Sequence, residues 1–161
     1  MEATSTTIPS RRPSAYRAIL WAGLIAGALD ITAACTRWAL RGVSPARVLR
    51  GVASGLLGPS AAQGGIAISA LGLVLHFVIA FGAAAVYFAA SRKIDLLVRR
   101  PWIAGPLYGI AVHCFMQFVV LPLSAVRMGP FSPPEFVIGM IIHILFVGLP
   151  IALVVSRFSK R

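Results

Sequence analysis

The chain reads as an all-α polytopic membrane protein: four transmembrane helices plus a short interfacial amphipathic helix between the first and second. Three observations predict this class. Hydrophobic residues make up 58% of the 161-residue chain and charged residues only 12%. A water-soluble domain of this size needs more polar surface than that to cover itself. The few charges also cluster. No Asp, Glu, Lys or Arg occurs from Gly51 to Ser91, from Pro101 to Val126, or from Phe136 to Ser156, and Asp30 is the only one from Ala18 to Thr36. A spanning helix needs about 20 apolar residues, so these runs predict spans over Ala18–Thr36, Ile66–Ala90, Trp102–Leu121 and Phe136–Val155.

The elements follow in order. Residues 1–15 are rich in Ser, Thr, Pro and Arg and are expected to be a disordered cytoplasmic tail, with residues 16–161 forming a single four-helix transmembrane domain. Ser10-Arg11-Arg12 lacks the residues that follow a twin-arginine export signal. Ala33-Ala34-Cys35 follows Thr32 where a lipoprotein signal has an aliphatic residue, and the run holds Asp30, so the first run is expected to stay as a span. In the first connection, Ser44 and Pro45 suit a helix start and Gly58-Pro59 a stop. Val48, Val52 and Leu56 share one face with Leu49 beside them, which predicts a helix lying in the headgroup plane; Gly51 and Gly55 leave a re-entrant segment open. In the third connection, Ser132-Pro133-Pro134-Glu135 matches a capping box. Pro150 should kink or loosen the fourth span. Cys35 and Cys114 sit at different depths, so they read as buried thiols and not as a disulfide.

The net charge of +11 is not read as nucleic-acid binding, because the basic residues flank apolar runs, where anionic headgroups would meet them. Arg11, Arg12, Arg17, Arg92, Lys93, Arg99, Arg100, Arg157, Lys160 and Arg161 share one side of a four-span protein. Only Arg37, Arg41, Arg47, Arg50 and Arg127 face the other. The positive-inside rule then puts both termini in the cytoplasm of a bacterial inner-membrane protein.

Small and polar residues recur together. Gly72, Gly109 and Gly139 each precede a histidine by four residues, at His76, His113 and His143, and Ala26 precedes Asp30 by the same step. Positions i and i+4 share a helix face. Gly23 and Gly27 continue the Asp30 stripe, Tyr87 lies on the stripe of His76, and Gln117 on that of His113. Such stripes mark helix contacts, so Asp30, His76, His113, His143, Gln117 and Tyr87 are expected to form a polar interior cluster. At about 1.5 Å per residue, His76 and His113 fall near mid-membrane and Asp30 and His143 in the outer half. Gly23-x-x-x-Gly27 fits either self-association or packing within the chain. Gly72 to His76 and Gly139 to His143 also suggest a repeat of two hairpins.

Three readings of the cluster stay open. The polar groups hold helices together, in an assembly subunit with a membrane-protein partner or a second copy of the chain; Asp30 would then pair with Arg37 or a histidine. Alternatively they handle protons or ions, since histidine and aspartate exchange protons near neutral pH. Or they bind haem or a divalent metal; no histidine pair stands at i and i+4. Walker, His-Glu-x-x-His and Gly-x-Ser-x-Gly motifs are missing from the sequence, and no enzyme is expected.

Gly23-Leu-Ile-Ala-Gly27, the histidine before an aromatic-rich stretch at His76, the His113 region leading to Leu121-Pro122-Leu123, and Gly139 to His143 together resemble small bacterial inner-membrane proteins of the YagU-like kind. The resemblance spans most of residues 18–156. It implies four membrane helices and no assigned chemistry.

Overall fold

The computed structural model describes residues 15–159. Among these every regular element is helical and none is a strand. Helix α1 covers Ala15–Ala39, α2 Pro45–Leu57 and α3 Ile66–Ser91. Helix α4 runs over Pro101–Leu123 and α5 over Pro133–Ser159. Among them α1, α3, α4 and α5 are long and apolar enough to cross a membrane. All four predicted spans are present, each longer by up to a turn at its ends. The expected disordered tail lies outside the described residues except for Ala15, which begins α1.

Small residues set how the helices meet. A side chain at Gly23 or Gly27 would strike Phe81 or Phe77 of α3. Gly23-x-x-x-Gly27 therefore packs within the chain. Helices α4 and α5 cross closer still: a Cβ on Gly148 would strike the Gly105 carbonyl oxygen, and one on Gly109 would lie 2.6 Å from the His143 oxygen. The suggested repeat thus ends in unlike contacts, aromatic rings against glycine in the first hairpin and backbone against backbone in the second. Helix α5 also packs on α1 and joins the two hairpins.

One half of the bundle is filled. Ile151, Val155 and Tyr87 are fully buried there with Ala22, Ala26, Ala84 and Ala152. The Tyr87 hydroxyl donates to the Leu97 carbonyl at 2.9 Å, Ser156 Oγ to that of Val98 at 2.9 Å, and Tyr108 to that of Ala83 at 2.7 Å. These bonds tie the middle connection and α4 to the helices around them. We call this the packed end and the opposite one the α2 end.

Helix α2 begins after Ser44 and stops at Gly58, whose φ of 74° is one that side chains disfavour. Its face is as predicted only in part. Val48 and Val52 point into the bundle, but Leu56 is 63% exposed and Ala53 is fully buried. Ala53 and Leu49 sit on α3 at Gly72, where any side chain would collide with the Leu49 carbonyl. The Ser69 hydroxyl donates to the Ala46 carbonyl at 3.2 Å, and the Ala125 amide to that of Gly55 at 2.9 Å. These contacts clip α2 between α3 and the third connection.

Two helices widen locally. Residues Met116–Val120 of α4 and His143–Gly148 of α5 form π-helical turns. Each is followed by Leu-Pro, at Pro122 and Pro150. A proline lacks the amide its helix would use and crowds the carbonyl four residues back; a π turn is one way to absorb that defect. Pro150 loosens its helix as expected. Pro122 does not end α4, which continues through the π turn to Leu123.

The capping box is not formed. Ser132 stands at the start of α5 but makes no side-chain cap bond. Glu135 instead pairs with Arg37 and, at 2.7 Å, with Arg41. Two guanidinium groups at the end of α1 attract its carboxylate more strongly than a neutral amide would.

Candidate functional site

The packed end and α2 leave a cavity of about 270 Å³ between them. Asp30 on α1, His76 on α3, His113 and Gln117 on α4 and His143 on α5 line it, and Val48 and Val52 of α2 close one wall. The structure thus brings five of the six predicted cluster residues to one space. Tyr87 is the exception. It is 1% exposed in the packed end, bonded to Leu97 and set edge-on to Tyr108 at 4.9 Å. Its place on the His76 stripe is correct, but the stripe runs beyond the cavity into solid packing.

Each histidine is held differently. His76 Nε2 lies 2.8 Å from the Gly27 carbonyl oxygen, bridging α3 to α1. A carbonyl only accepts, so this nitrogen carries the hydrogen and donates. His143 Nδ1 donates to its own helix at Gly139 O, 2.9 Å away. His113 is 6% exposed, and neither ring nitrogen has a hydrogen-bond partner. Its ring occupies space that Gly139 leaves free, with a Cβ there reaching within 2.7 Å of Cε1. It touches the rings of His143 and Phe136, each at 4.8 Å. A glycine one turn before a histidine therefore does serve close approach. The group that approaches is the next helix's ring at Gly139, its backbone at Gly109, and the α2 backbone at Gly72.

Asp30 is half-buried and makes no ion pair or hydrogen bond among the described residues. The expected pairing with Arg37 does not occur, because Arg37 is taken by Glu135. No lysine or arginine lines the cavity. An unpaired carboxyl that shares a cavity with three imidazoles is a functional candidate by default.

No three or more His, Cys, Asp or Glu side chains among the described residues are placed to hold a metal ion. His113 and His143 touch, and His76 is engaged with α1. Cys35 and Cys114 are free thiols. Two contributors lay beyond sequence reasoning. One is the wall that α2 provides. The other is the pair of π turns carrying Gln117 and His143, whose only signal was the Leu-Pro step that follows each. No family, curated protein or solved structure matches this chain.

Proposed function

We propose that the chain is a small multi-pass protein of the bacterial inner membrane, with both termini cytoplasmic, whose Asp/His cavity takes up and releases protons and has no catalytic role. One observation carries this reading. All three histidines of the chain line one cavity together with an unpaired aspartate. Histidine is the side chain that ordinarily changes charge between pH 5 and 8, so the side chains suited to that exchange are gathered in one place. The fully buried side chains of the packed end lie beneath it, which favours exchange from the α2 side over conduction through the bundle. Helix α2 lies across that end as an interfacial helix, with the exposed Arg47 toward anionic headgroups.

A specific observation favours a structural role for one member. The His76 bond to Gly27 joins two spans, and His76 belongs to the scaffold on that account.

Imidazole NMR in nanodiscs separates the readings. Coupled groups titrate as a set. Asp30→Asn should move the midpoint of at least one histidine, and His113→Leu should fold normally while the protein binds fewer protons between pH 5 and 8. His76→Leu should fail to fold or melt much lower. Three midpoints indifferent to Asp30→Asn would leave a purely structural cluster.

A further inference from the structure

Five side chains, Val48, Val52, Ile79, Met116 and Leu121, line both the cavity and a second, larger space of about 800 Å³. This vestibule lies between α2, α3 and α4, its other walls including Trp38, Val120 and Val126. It is almost wholly apolar, and Arg47 is its only charged residue. A small chamber with polar corners therefore adjoins an oily one across these side chains.

The hydrogen-bond inventory of the chamber says what would fill it. His76 Nε2 and His143 Nδ1 already donate to carbonyls. In neutral rings the remaining nitrogens, His76 Nδ1 and His143 Nε2, can only accept. An ionised Asp30 also only accepts. Gln117 and one nitrogen of His113 supply the donors, and the other His113 nitrogen is a further acceptor. The chamber is therefore rich in acceptors, and a ligand must bring N–H or O–H groups.

Charge narrows the class. An ammonium head would satisfy Asp30 but must pass Arg47, the charged residue that lines the vestibule. A carboxylate or phosphate would meet Asp30 unshielded. A neutral hydroxyl head meets neither obstacle. Size narrows it further: a cavity of about 150 Å³ holds benzene, so about 270 Å³ accommodates a single substituted ring. His113 is buried with no well-formed hydrogen bond at either nitrogen, the Phe136 backbone being its nearest polar neighbour, and such a head would complete it.

We propose that the chamber and vestibule bind a neutral amphiphile of the hydroquinone class, its hydroxylated ring among Asp30, His113 and Gln117 and its apolar tail between α3 and α4 beneath α2. The inference rests on the same cavity as the proton-handling reading, and deepens it by naming what donates into the acceptors. The ligand enters from the bilayer, where such molecules reside, and not from water.

The test uses the full chain in nanodiscs, under argon, with a radiolabelled alkyl hydroquinone displaced by unlabelled compounds. The hydroquinone should bind saturably. Its dimethyl ether, of like shape but without donors, should compete at least about tenfold more weakly, the loss expected for one or two hydrogen bonds. Met116→Trp, which adds bulk where the two spaces adjoin, should abolish binding; Gln117→Leu, a milder change, should weaken it several-fold with the melting temperature unchanged. Equal competition by the ether would mean simple partitioning and overturn the proposal. Tighter competition by an alkylammonium of the same tail would overturn it in favour of a cation site. Binding without coupled histidine titration would sink the proton reading alone, and coupled titration without binding would sink this one alone.

Discussion

Gly139→Ala tests whether the His113 ring is seated by the glycine of the neighbouring helix. The added methyl would lie 2.7 Å from Cε1 and 3.4 and 3.5 Å from the two ring nitrogens. Carbon atoms settle at about 3.5–4.0 Å, so the ring or the helix must yield by about 1 Å. Overpacking of this kind costs about 1–3 kcal/mol. Alanine is favoured over glycine inside a helix by about 0.8–1.0 kcal/mol. The single variant should therefore lose up to about 2 kcal/mol. With His113→Ala already in place the obstruction is gone, and the same change should stabilise by up to about 1 kcal/mol. The four proteins of this cycle, unfolded reversibly by SDS in mixed micelles, should show a coupling of about 1–3 kcal/mol. Gly82→Ala is the control, since nothing lies within 4 Å of a Cβ there; its effect should be the same in every background. Coupling within about 0.5 kcal/mol of zero, the scatter of independent sites, would refute the seating of His113 by Gly139.

Other outcomes follow from contacts already described. Glu135→Gln removes the carboxylate that Arg37 and Arg41 share; the pairs are partly exposed, so a melting experiment should register about 1 kcal/mol or less, fading with added salt. Tyr87→Phe deletes the bond to Leu97 and should cost about 0.5–1.5 kcal/mol while histidine titration stays as in the parent. Gly148→Val forces a branched side chain onto the Gly105 carbonyl; monodisperse protein should not be recovered, and recovery with a parental melting curve would contradict the crossing of α4 and α5.

The spans were readable because charge is so sparse that its gaps alone mark the helices. The cavity residues were readable because Asp30 and the three histidines each stand one turn from a glycine or alanine, and Gln117 one turn from His113, on stripes that cannot face lipid cheaply. Tyr87 shares such a stripe, and periodicity cannot say where along a helix a cavity ends. Glu135 occupied a capping position, yet two arginines distant in sequence outbid the local amide. Pairing across 98 residues leaves no trace in local spacing. Helix α2 was recognised by its start and stop signals, but its buried face is set by where α3 offers Gly72. The π turns cannot be seen in hydropathy, because an extra residue in a turn changes geometry and not composition.

The glycine crossings divide the chain into two zipped pairs, α1 with α3 and α4 with α5, bridged mainly where α5 meets α1. That has a consequence for biogenesis. The first pair can close while the ribosome is still making the second, but His76 and Asp30 then face a half-built chamber that only the last helix to leave the translocon completes. Truncation before residue 133 should therefore leave a folded hairpin with its acidic and imidazole groups bared, an object that membrane quality control would recognise.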